Sequence, residues 1–245
     1  MYIGNSAGLN TVHVRECGTL KSAAAIMLGR NYGENTLVFE NGATGYLANV
    51  ELGVNENKGA NGNRFHILSN SYVKAKYVAV GKFSSENALL VDEAKLYSYG
   101  GMCLGSKSDA TATDNKVTVR GRNGCIEIES GQYLDTYNKS VFRFEVPENG
   151  FADNIPIKGS HFRWNGNVVF DVDCKKFRKA GGGDIVLVEA GANTWIDQDT
   201  DGNLAKCLAE LNKSQPEGCS FEIKGKQVIY HASYLPPVGM RFIVR

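Results

Sequence analysis

The densest run of hard oxygen donors in the chain is "IDQDTDGNL". Asp197, Asp199 and Asp201 alternate along it and Gly202 follows. This is the first half of a calcium loop, in which alternate carboxylates surround the ion and a Gly makes the sharp turn. Leu204 falls where such loops place an apolar anchor. The twelfth position, which should supply a bidentate Glu, is Leu208, and Glu210 comes two residues late. The same stretch also reads as the acidic start of a helix, because Asp201 and its neighbours favour the positive end of the helix dipole. With half of the ligand set missing, the helix start is the weightier reading and calcium the alternative.

The other reactive side chains are scattered. His13 and His66 each follow an Asn by three residues, and His161 and His231 have no partner at ligand spacing. Asp92, Glu93 and Asp114 do not recur at one phase of any pattern, so they form no pair of carboxylates for acid–base chemistry. The basic run "KKFRK", Lys175 to Lys179, suits either an anionic glycan or, with more weight, a strand edge guarded by charge. Nucleophile-elbow, zinc-protease, phosphate-loop and dinucleotide motifs are missing from the sequence. Of six cysteines, Cys17, Cys103, Cys125 and Cys174 stand singly in strand-like stretches and read as small buried thiols. Cys207 and Cys219 flank a polar loop that a disulfide would close in an oxidising compartment.

These residues must be carried by strands. The 245 residues include 28 Gly against 5 Pro, 42% of them are hydrophobic, and the net charge is +1. That composition bounds a globular chain rich in turns, with no global field for nucleic acid. No apolar run reaches the roughly 20 residues that span a bilayer as a helix. The first ten residues lack the pattern of a signal peptide, and because they open inside a motif, Met1 is read as an artificial start.

The motif repeats. Asn10, Asn35, Asn63, Asn87 and Asn115 each open an apolar-x-apolar pair, and Gly4, Gly29, Gly53, Gly81 and Gly105 each close one. From Asn to the next Gly the separations are 19, 18, 18 and 18; from Gly to the next Asn they are 6, 6, 10, 6 and 10. The positions two and four after the Asn are apolar in all five copies, from Val12 and Val14 to Val117 and Val119. A period of 24 to 28 residues holding about three short strands predicts a β-solenoid, whose coils stack at about 4.8 Å and share a core. The Asn column then predicts an amide ladder at one corner, and the Gly column a corner needing positive φ or close backbone approach. The outward column three after the Asn reads His13, Val38, His66, Leu90 and Thr118, with no acid in it. Its two histidines stand two coils apart, about 9–10 Å, which is too far to share a metal.

With these columns aligned, "NTLVFENGA", "NALLVDEAKL" and "NKVTVRG" resemble the autotransporter-associated repeats of large bacterial surface proteins. The resemblance covers residues 1 to 135. It implies an all-β, single-stranded, right-handed parallel β-helix of about five repeats, displayed at the cell surface or released from it. Beyond residue 135 the period is lost, and residues 136–245 read as an irregular β-rich C-terminal cap with one short helix, "DGNLAKCLAELNKS". Such a cap is needed because the last coil of a solenoid exposes unpaired backbone.

The expected function is a non-catalytic bacterial surface or secreted module for display or adhesion. The alternative is a carbohydrate-active β-helix, a lyase or hydrolase, or a glycan-binding module. The expected partners are glycans or cell-surface proteins, with no nucleic acid, no membrane span and no cofactor beyond the calcium alternative. The molecule is expected to act as an extracellular or surface-bound monomer.

Overall fold

The structure, a computed structural model, describes residues 1–5, 7–54, 60–106, 112–151, 154–165, 168–191 and 203–236. The chain is a mostly β solenoid of about six turns. One wall is a sheet of seven parallel strands: Thr11–Val14, Thr36–Phe39, Arg64–Leu68, Ala88–Asp92, Lys116–Arg120, Ser140–Glu145 and Val168–Asp173. They pair in chain order, each with the equivalent strand of the next coil. The remaining strands form a 14-stranded sheet that bends around the rest of each coil.

The corner before the seven-stranded wall explains the Asn column. Asn10, Asn35, Asn63 and Asn87 each send their backbone N–H and side-chain Nδ2 to the Oδ1 of the next Asn, at 2.9–3.2 Å. Asn35, Asn63, Asn87 and Asn115 are buried, so each amide needs this partner to offset its lost hydration. The Gly column lies against the ladder. Gly81 has φ +79°, and a Cβ there would stand 2.1 Å from the Asn115 side chain. Gly29 meets Asn63 in the same way at 2.2 Å. Only a residue without a side chain fits that corner.

Strand alternation fills the interior. Leu37, Phe65, Leu89, Val117, Phe142 and Phe170 stack in register in one column, and Phe39, Ile67, Val91, Val119 and Phe144 in the next. Toward the C-terminus the core changes from aliphatic to aromatic. Phe142 and Phe144 stack on Phe170 at 5.8 and 6.1 Å, Phe170 meets Phe221, and Phe221 meets Tyr230 at 4.8 Å. This chain of rings ties the last coil to the cap.

The parallel stack continues past residue 135, where the sequence signature stops. Ser140–Glu145 and Val168–Asp173 add two rungs to one wall, and Ile157–Gly159 and Gly183–Ala190 extend the other. Ser140 takes the ladder position after Asn115, and its hydroxyl donates to the Leu104 carbonyl at 2.9 Å. Among the described residues, antiparallel pairing is confined to the end of the second half. There Gly183–Ala190 pairs with Gln227–Ala232, which forms a hairpin with Cys219–Lys224. Helix Asn203–Asn212 lies over Cys219–Lys224 and Val168–Asp173, burying Leu204 and Leu208. Its last residue, Asn212, pairs through its amide with both backbone groups of Phe221.

Two local expectations are corrected, and the open question of Cys207 and Cys219 is answered. "KKFRK" is a helix, Lys175–Lys179, rather than a strand edge. Lys and Arg are good helix formers, the basic side chains of the last turn suit the helix C-terminus, and a run of three glycines stops it. Cys17 is exposed in a turn with φ 61°, not buried in a strand. Cys207 and Cys219 are not joined by a disulfide. The thiol beside Cys219 is that of Cys174, and both meet the buried Tyr230 hydroxyl. No helix among the described residues is long and apolar enough to cross a membrane, which says nothing of crossing by strands.

Candidate binding surface on the outer faces

On the seven-stranded wall, the register brings charges into line. Asp92, Arg120, Glu145 and Asp173 succeed one another, and beside them the column His13, Val38, His66, Leu90, Thr118 runs on to Arg143 and Asp171. Arg120 reaches Asp92 at 2.8 Å and Glu145 at 3.7 Å; Arg143 reaches Glu145 at 2.9 Å and Asp171 at 2.6 Å. The hydrogen bond to Asp92 raises the pKa of Arg120, and that to Glu145 raises the pKa of Arg143. At the other end, Glu40 accepts from His13 at 2.8 Å and from Arg15 at 2.5 Å. These two bonds, His13 foremost, hold its carboxyl below the usual range. Carboxylates and guanidinium groups thus meet across successive coils of this wall, and Glu40, Arg120 and Arg143 are each held in their charged forms.

The 14-stranded wall holds a second cluster. Tyr77, Cys103, Asp135 and Tyr137 line a pocket of about 230 Å³ with Lys82. Burial, then the Asp135 charge, pushes the Cys103 thiol up to about 12, and burial pushes Tyr77 far above its ordinary value. A thiol so protonated is no nucleophile at neutral pH. Asp135 is itself bound by the Arg163 guanidinium, which lies 4.0 Å over the Tyr133 ring.

Further along this wall a groove of about 740 Å³ crosses successive coils. Its walls include Tyr46, Asn49, Lys74, Lys76, Tyr99 and Glu129. Lys21, Tyr46, Lys74 and Tyr97 occupy successive rungs in one register column. The Lys21 ammonium sits 5.8 Å from the Tyr46 ring centre, and that of Lys74 sits 5.4 Å from both Tyr97 and Tyr99. The Tyr97 hydroxyl donates to Glu129 at 2.9 Å, and burial with this bond pushes its pKa up to about 12. Lys21, Tyr46, Lys74 and Tyr97 lie on the strand that follows the Asn-opened strand in each coil, eleven residues after Asn10, Asn35 and Asn63 and ten after Asn87, but no single residue type marks the column, which alternates between Lys and Tyr.

Of the residues singled out in the sequence, Asp197, Asp199 and Asp201 lie outside the described residues, so calcium there rests on the sequence alone. Leu208, at the twelfth position of that loop, is buried, and the exposed Glu210 pairs with Lys213 at 2.5 Å. His13 and His66 stand two rungs apart with Val38 between them. Burial, with Arg64 and Arg120 nearby, lowers the pKa of His66. His231 bridges Asp184 and Glu222 at 2.7 and 2.9 Å, while the His161 ring packs tilted against Tyr133 at 5.1 Å. Glu93 accepts the N–H groups of Arg122 and Asn123 in a turn, and Asp114 accepts from Thr113. The helix Lys175–Lys179 is tied down by Arg178, which donates to the carbonyls of Ser233 and Glu217. Among the described residues, no group of three His, Cys, Asp or Glu is placed to hold a metal. No family model, curated protein or solved structure matches the chain.

Proposed function

We propose that this chain is a non-catalytic β-solenoid module of a bacterial surface or secreted protein, serving display or adhesion outside the cell. A right-handed coil is part of that reading, since it follows the resemblance of residues 1–135 to autotransporter-associated repeats. The observation that carries it is the state of the outer-face carboxylates. Asp92, Asp171 and Asp135 are each bound to an arginine of a neighbouring coil, and Glu145 is held by Arg143 of its own strand and by Arg120 of the coil before it. A glycosidase needs one carboxyl held neutral and a second left free to act as base or nucleophile. Carboxylates bridged by guanidinium serve coil-to-coil cohesion instead.

The test is an assay of chain ends. The protein is incubated with acidic and neutral polysaccharides, and reducing ends and unsaturated products are followed. The reading predicts no rise above a heat-denatured control. Asp92→Asn and Asp135→Asn lower the melting temperature by a few degrees, at about 2–4 °C per kcal/mol for a chain of this size. A rise in chain ends that either substitution abolishes would overturn the proposal.

A further inference from the structure

Lys74 and Lys76 line the groove, and Lys21 stands beside it over the Tyr46 ring. Lys82 pairs with Glu51 and Lys95 with Glu127, but no carboxylate of a described residue lies within 4.0 Å of the ammonium groups of Lys21, Lys74 or Lys76. Lys21 and Lys74 rest over tyrosine rings instead. Such a cation–π contact is weak at an exposed site, and an incoming carboxylate offers the ammonium a stronger, charge-assisted hydrogen bond. Drawing the lysine aside also bares the ring. Tyr46 is already 46% exposed.

We propose that this groove binds an acidic polysaccharide, with sugar-ring faces on Tyr46 and Tyr99 and uronate carboxylates on Lys21, Lys74 and Lys76. The proposal rests on the non-catalytic reading above and names the ligand class that module would hold. The groove presents two chemistries side by side, an aromatic face and an unpaired ammonium, repeated along the stacking axis at about 4.8 Å per rung. A uronic acid residue carries both complements, an apolar C–H face and a carboxylate. Asn49, at the groove wall, offers an amide to hydroxyl groups. Lys21 and Lys74 stand two rungs apart, about 10 Å, so an extended polymer meets them in succession. A nucleic acid would also bring ring faces and anions. Its binding depends on neutralising many phosphates, and this chain has a net charge of +1 with Glu129 inside the groove.

Calorimetric titration with oligomers of galacturonate, mannuronate and glucuronate tests the proposal, with a neutral galactose oligomer and oligothymidylate of equal length as comparisons. At least one acidic oligomer should bind about tenfold more tightly than the neutral sugar and the oligothymidylate. Tyr46→Ala and Lys74→Gln should each weaken that binding by about tenfold, as the loss of an anchoring contact does. Lys116→Gln, on the opposite wall, should leave it unchanged. All three side chains are exposed or half-buried, so unchanged melting curves will show that the variants fold. Failure of all three acidic oligomers to bind, equal affinity for oligothymidylate, or indifference to both Tyr46→Ala and Lys74→Gln would overturn the proposal. Binding accompanied by new reducing ends would leave the groove standing and overturn the non-catalytic reading. Absence of both binding and cleavage would overturn the groove alone.

Discussion

At the scale of single residues, the ladder asparagines are the strictest requirement of the fold. Asn63→Ala removes the oxygen that accepts two bonds from Asn35 and the donor that Asn87 accepts, all in a buried corner. The expected cost is about 2–4 kcal/mol in a urea melt, because buried polar groups lose their partners. Asn10→Ala, at the exposed end of the ladder, should cost under about 1 kcal/mol. Equal losses would show that burial of the ladder does not set its contribution. His231 supplies a pH-dependent contribution. Its pKa is raised, chiefly by the bond to Asp184 and then, after the opposing effect of burial, by Glu222. The stabilisation is therefore complete below the unfolded value of about 6.5 and is lost as pH rises through the folded pKa. The melting temperature of the native protein should exceed that of His231→Gln most at pH near 5.5, and the gap should narrow by pH 8. A gap that widens with pH would contradict the assignment. Asn and Gly were legible because an amide ladder and a positive φ demand particular residue types. The left-handed residues just before the ladder, Leu9, Glu34, Glu86 and Asp114, were not, since no residue type marks them.

At the scale of elements, strand alternation decides which substitutions matter. Phe65 is fully buried between Leu37 and Leu89 and meets the Phe39 ring edge-on at 6.1 Å. Phe65→Ala should cost about 3–5 kcal/mol, the range for a large core cavity. Thr36→Ala, on the opposite side of its strand, should cost far less, and equal effects in denaturant would mean that inside and outside are exchanged. The first five rungs were legible from their columns. The next two were not, although their spacing persists: Ser140 follows Asn115 by 25 residues and Val168 follows Ser140 by 28. The position kept its place in the stack while its residue type changed, so a search keyed to Asn lost the period. Near the cap, where aromatic packing replaces the ladder, the amide is no longer needed to hold the coils. The helix Lys175–Lys179 was missed because five residues carry too little periodicity to separate a helix from a charged strand edge.

At the scale of the whole molecule, the solenoid is a stack in which each coil touches its neighbours, so stability is shared along the axis. The C-terminal end is closed by the hairpin Cys219–Lys224 and Gln227–Ala232 and by helix Asn203–Asn212 over the last rung. The groove inherits its geometry from this stack, since Tyr46, Lys74 and Tyr97 face one line only while their three coils stay in register. That line is not evident in the chain because its residue type alternates between Tyr and Lys, although the three residues follow Asn35, Asn63 and Asn87 by eleven, eleven and ten positions. The claim on which both functional proposals depend is that one continuous parallel stack runs from the first coil to residue 190. Amide hydrogen exchange read by mass spectrometry tests it most directly. The account predicts that Ser140–Glu145 and Val168–Asp173 are protected to within about tenfold of Thr36–Phe39, as members of one cooperative unit. Exchange in those two strands as fast as in the turns would contradict it.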